Sequence, residues 1–207
     1  MKKIALALLL AIPCLQSYAQ EGTPEAMMNS KEPQRTANSP VIYVTTSTGI
    51  NNTTGILGFS FEVPIAPYVS LESGAGASTW GDKLYAGAKL YMRPNQRGLA
   101  FSVGLTRNMG GNNEKITLQT IYTTNEPVTL RLYPKTNVLF AVYRYFNLGN
   151  QYNRFFVGAG WSVNVAGKGW TQTAGTPLSD RSNNEINATA PGGPMLMAGF
   201  SFGISRK

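Results

Sequence analysis

The chain has 207 residues, with 18 Lys and Arg against 10 Asp and Glu, one cysteine and no histidine. Without histidine it lacks the commonest general base and metal ligand. Its sole cysteine, Cys14, lies so near the N-terminus that the rest of the chain has no disulfide, thiolate nucleophile or Cys-based metal site. The positive charge is scattered, with no basic stripe carrying interleaved aromatics, so nucleic acid is not an expected partner; at 14% charged residues, the chain is also poor in charge for a water-soluble surface of this size.

Residues 1–19 read as a secretory signal. Lys2 and Lys3 form a charged start, Ile4 to Ile12 is an apolar run too short to cross a bilayer as a helix, and Ser17-Tyr18-Ala19 is a small-x-small cleavage site. A lipoprotein reading would put lipid on Cys14, but Pro13 stands where a small residue is usual. Removing Lys2 and Lys3 takes the basic count from 18 to 16 against 10 acids, a net +6. Residues 20–40 are polar and rich in Pro, Ser, Asn and Gln, a flexible lead-in.

From residue 41 the pattern changes to alternation. Leu57, Phe59, Phe61 and Val63 alternate with Gly58, Ser60 and Glu62. The pattern returns in residues 69–77, 84–93 and 99–106, and a period of two means strands with one apolar face. The expected strands are residues 41–50, about 56–63, 68–78, about 83–93, 99–108, 137–146, 154–165 and 195–204, with Thr79-Trp80-Gly81-Asp82 as the turn between the third and fourth. Pro64-Ile65-Ala66-Pro67 is expected to end the second, since Pro cannot donate to a ladder. Residues 116–123 and 128–133 read as the fifth and sixth strands extended into a hairpin. A ten-stranded barrel is the rival, but residues 128–133 are short of the usual 9–11 for a crossing.

Connections sort by length. Those after strands two, four and six are short, while residues 110–136 and 167–193, after strands five and seven, are long. Short turns on one rim and long loops on the other are the signature of an outer-membrane barrel, and an even strand count puts both termini on the short-turn, periplasmic rim. The fold expected over residues 41–207 is all-β, an up-and-down antiparallel transmembrane barrel of eight strands.

The small-residue face collects Gly58, Gly74, Gly76, Gly87, Gly104, Gly158, Gly160, Gly199 and Gly203. Eight strands enclose an interior just wide enough for side chains. Glycines there make room for long polar residues, so Glu62, Glu72, Lys89, Arg93 and Arg144 are the candidate lumen ion pairs. The opposite face is Leu, Phe, Val, Ala and Met, with almost no charge. If the hairpin turns between Trp80 and Gly81, Glu72 stands opposite Lys89. Such a pair is foremost a structural plug, with a proton or ion path as the rival. Tyr68, Tyr145 and Phe155 near one rim and Trp80 and Trp161 near the other would form interfacial girdles.

On these patterns and turn placements, residues 41–207 resemble the small eight-stranded outer-membrane β-barrel family of Gram-negative bacteria, of the Bacteroidota type. Barrels of that family share a final-strand signal for the barrel assembly machinery, a glycine followed three and five residues later by apolar groups. Gly199, Phe202 and Ile204 match its spacing. Ala198 stands where a polar residue is usual, and the chain ends on Ser205-Arg206-Lys207 rather than an aromatic.

The expected function is that of a non-enzymatic outer-membrane barrel in contact with outer-membrane lipid. Its two long loops would serve binding or adhesion toward a surface protein or glycan, or only shield the surface. A barrel enzyme of the acyltransferase, deacylase or protease kind would need a base that Ser179, Asp180 and Ser182 lack. A narrow solute pore and a soluble periplasmic or secreted ligand-binding barrel are the alternatives. No cofactor or metal is expected. Gly74-Ala75-Gly76 is followed by no helix and is not a nucleotide loop, and the sequons at Asn52 and Asn187 are incidental in a bacterial protein.

Overall fold

The computed structural model describes residues 40–94, 96–122, 126–148 and 152–205. The signal segment and the lead-in up to residue 39 lie outside the described residues. Eight strands close into an antiparallel barrel: β1 (Ile42–Ile50), β2 (Leu57–Ala66), β3 (Val69–Ser78), β4 (Gly81–Arg93), β5 (Arg97–Asn108), β8 (Lys135–Asn147), β9 (Asn153–Ala166) and β11 (Gly193–Ile204). The seam is β1 against β11, in register from Ile42↔Ile204 to Ile50↔Leu196.

The barrel is apolar outside and polar within. On β2, Leu57, Phe59, Phe61, Val63 and Ile65 are exposed while Gly58, Ser60 and Glu62 are buried. β1 turns Tyr43, Thr45 and Ser47 inward. β2 does not end before Pro64 but runs through it to Ala66, with a register shift beside β3. The last β1–β2 pair is Tyr43↔Glu62, so Pro64 lies beyond the paired length of β1 and its missing N–H interrupts little on that side.

Above the loop rim the two long connections fold against each other. β6 (Gly111–Leu118) pairs with β7 (Glu126–Leu132) as expected of a hairpin, but the pair does not continue the barrel wall. Gly110, with φ +76°, and Pro134 mark the breaks, and β10 (Trp170–Ala174) adds a third strand in the order β10-β7-β6. The second connection, expected as a loop, also holds α1 (Asp180–Thr189). Ser179 caps it: its hydroxyl accepts from the Ser182 backbone N–H, and Asp180 in the first turn complements the helix dipole. The serines and aspartate considered for chemistry thus start a helix.

This cap has its own core of Trp80, Val128, Leu130, Leu132, Leu178 and Ile186, with Leu118, Trp170 and Ala190 against it. Trp80 comes from the β3–β4 turn. It is 1% exposed and its indole N–H donates to Tyr133 O at 2.9 Å, so it pins the cap rather than joining an interfacial girdle. Thr79 Oγ1 donates to Thr189 O at 3.1 Å, tying α1 to the same turn.

Candidate functional site: a filled lumen beneath the cap

Inward-facing residues of the turn-rim half form one network. Glu62 and Glu72 are register partners on β2 and β3, which puts two like charges side by side. Lys89 of β4 sits between them, its Nζ 3.3 Å from Glu62 Oε2 and 2.9 Å from Glu72 Oε2. Arg154 of β9 supplies the second cation, with Nη2 3.1 Å from Glu62 Oε2 and Nη1 donating to Gln96 O at 2.6 Å. Hydroxyls complete the carboxylates: Tyr91 at 2.5 Å and Ser70 at 2.8 Å donate to Glu62, and Ser60 donates to Glu72 at 2.7 Å.

All four charges are buried and balance to zero. Burying ions costs several kcal/mol each and is offset only where geometry and extra hydrogen bonds are good. Tyrosines supply much of the remainder. The Arg154 guanidinium lies 3.6 Å from the Tyr43 ring centre and 4.3 Å from that of Tyr145, and Lys89 Nζ lies 4.6 Å from that of Tyr143 and donates to Tyr145 Oη at 2.8 Å. Glycines admit these rings. A Cβ on Gly104 would stand 2.5 Å from the Tyr85 ring, and one on Gly199 would stand 2.7 Å from that of Phe156.

The loop-rim half is plugged by backbone. Residues 51–55, between β1 and β2, fold into the lumen, and Asn52, Thr53 and Thr54 are buried. Asn52 Nδ2 donates to Ser47 Oγ at 2.9 Å, and Ser47 and Thr54 hydroxyls pair at 2.9 Å. Gly58, Gly74 and Gly76 clear the space: a Cβ on Gly76 would meet Thr54 O and Leu57 O at 2.3 Å. Lys83 of β4 donates to Asn52 O at 2.7 Å from below the turn.

Of the five charges expected inside, the structure brings Glu62, Glu72 and Lys89 together and leaves Arg93 and Arg144 out. Arg93 shares the inward parity of Lys89, but a register shift between Tyr91 and Arg93 at the strand end frees it. Arg144 is exposed on the outer wall beside Phe146, because its neighbours Tyr143 and Tyr145 fill the lumen. Tyr145 is therefore not a girdle residue, whereas Trp161 is 56% and Tyr68 36% exposed on the outside.

The β3–β4 register is also two residues from the one expected. Ser70 faces Lys89 and Glu72 faces Gly87, because the turn is Thr79-Trp80, with Trp80 drawn into the cap and Gly81 at φ +78°. Lys89 reaches Glu72 diagonally. Arg154 and Lys83 were missed. Both lie on glycine parity, Arg154 with Gly158 and Gly160 and Lys83 with Gly87, so the same rule applied to β9 and β4 finds them.

On β11, Gly199 faces inward while Phe202 and Ile204 are exposed. Among the described residues no group of His, Cys, Asp and Glu could hold a metal ion.

No protein-family model matches the chain, and no curated protein matches it. Among solved structures, it is similar to the N-terminal beta-barrel domain of Pseudomonas aeruginosa OprF, with a TM-score of 0.41 and 12% identity over 79% of this chain and 95% of that one.

Proposed function

We propose that this chain is an integral outer-membrane barrel without enzymatic activity, its wall the anchor and its cap the surface presented outside the cell. The observation that carries this reading is the inverted wall. Phe59, Phe101 and Phe200 are 59%, 45% and 45% exposed while Glu62, Lys89 and Arg154 are buried. Each large apolar side chain left in water forgoes about 1.5–3 kcal/mol, so a wall of them is favourable only against lipid. Strands of 9 to 14 residues suit a tilted crossing. On this reading the termini are periplasmic, and β11 carries the residues the assembly machinery would engage.

The filled lumen speaks against a solute pore, and the polar interior against a soluble barrel that stores an apolar ligand. For the cap, recognition is favoured over shielding by Ile121 and Tyr122, 54% and 80% exposed after β6. Carbonate extraction of membranes from expressing cells tests the anchor: the chain should stay in the pellet and fractionate with outer membrane, and release into the supernatant refutes it. Pull-downs with the intact barrel and with barrels lacking either long connection test the cap. Identical partners from all three refute recognition.

A further inference from the structure

A chamber of about 410 Å³ lies where the loop rim meets the C-terminal end of α1. Pockets that hold small molecules run to about 300–1,000 Å³. Its polar floor is Lys83 and Asn108, register partners on β4 and β5 that both face inward, 2% and 1% exposed. Lys83 makes no ion pair among the described residues; its Nζ has only Asn52 O at 2.7 Å and Asn51 O at 3.4 Å. That contrasts with the network below, where each cation has a carboxylate.

Asn108 has Oδ1 3.2 Å from Ser78 Oγ, while Nδ2 is buried with no partner. A buried ammonium without an anion and a buried amide without an acceptor both carry a desolvation cost. No Asp or Glu lines the chamber. The feature that would repel an anion, the carbonyl end of α1, is already occupied: Thr189 O accepts from Thr79, Asn187 O from the Ala190 N–H and Ile186 O from Thr189 Oγ1. The walls are apolar, with Ile50, Ile56, Ala190, Pro191 and Pro194. Ile50 and Ile56 are 70% and 51% exposed, so the chamber reaches the surface.

We infer that this chamber binds a small organic carboxylate, its oxygens held by Lys83 Nζ and Asn108 Nδ2 and its body against the Ile and Pro walls. The site does not depend on the membrane reading. The test is a titration of the full chain, folded in detergent micelles, with isobutyrate, with isobutyramide and with inorganic phosphate, followed by NMR at the Asn108 side-chain amide. Isobutyrate should shift that signal saturably, and isobutyramide should bind about tenfold or more weakly, as loss of a charged hydrogen bond predicts.

Lys83→Met should abolish the response while keeping the heat-dependent gel mobility of a folded barrel. If K83M does not fold, Asn108→Leu, read at the Lys83 backbone amide, should weaken isobutyrate by a similar factor. A chamber that holds only water gives no saturable shift and overturns the proposal. So do equal responses to acid and amide, a response to phosphate alone, or an unchanged affinity in K83M or N108L.

Discussion

Glu62 is the residue on which the lumen network converges, and Glu62→Gln isolates its charge with little change of shape. The side chain is fully buried and accepts from Tyr91 and Ser70 while facing Lys89 at 3.3 Å and Arg154 at 3.1 Å. The amide keeps one acceptor oxygen but removes one negative charge from a set of two and two. Lys89 retains Glu72 at 2.9 Å, whereas Arg154 has no other carboxylate partner among the described residues. Leaving one buried ion uncompensated costs about 3–5 kcal/mol. With a slope near 2 kcal/mol per molar urea, the unfolding midpoint in lipid vesicles should fall by roughly 2 M.

The double variant Glu62→Gln with Arg154→Met leaves Glu72 and Lys89 as a neutral pair. It should be less destabilised than the two single changes summed, by about 1 kcal/mol or more. The assay is urea unfolding followed by tryptophan fluorescence and by heat-dependent gel mobility. An E62Q midpoint close to that of the parent, or a double variant that is merely additive, refutes the argument that charge balance holds this lumen.

Arg144→Gln should change stability by less than about 0.5 kcal/mol in the same assay, as expected of an exposed position, although the residue reads as a lumen charge from sequence. Trp80→Ala should remove about 3–5 kcal/mol from the cap core. Limited proteolysis should then cut in residues 111–132 or 170–189 while the barrel strands stay protected. Val103→Arg places a cation midway along β5 on the outer wall and should cost about 2–4 kcal/mol in vesicles; an unaltered midpoint in lipid would contradict the membrane anchor. Gly76→Ala should expel residues 51–55 from the lumen, since its Cβ would meet backbone oxygens at 2.3 Å. Hydrogen exchange at Thr53 and Thr54 then accelerates.

The alternation of large apolar residues with glycine and polar residues already carried the barrel class, the facing of the glycine-bearing strands and which rim bears the long connections, while closure on eight strands rather than ten belongs to the tertiary structure. The legible features depend on neighbours along one strand, where a period of two is strong and each inward glycine marks the parity of its strand. Three further features were decided only in three dimensions. β8 has no glycine to mark parity, so Arg144 could be placed outside and Tyr143 and Tyr145 inside only by packing across the lumen.

The β3–β4 register differs because the turn centres on Thr79-Trp80, where the Trp80 side chain is held in the cap core by partners about 50 and more residues away in sequence. Of the cap, the β6–β7 hairpin was legible, but its helix, third strand and shared core were not, for a related reason. β6 is exposed on both faces along most of its length and α1 buries only Ser182 and Ile186, so neither carries a periodic apolar stripe. Their core exists only when Leu178 and Ile186 of one connection meet Val128 and Leu130 of the other over a tryptophan from the barrel rim. Local pattern reports what one segment can bury; what it does bury is set by the segments that arrive from elsewhere in the chain.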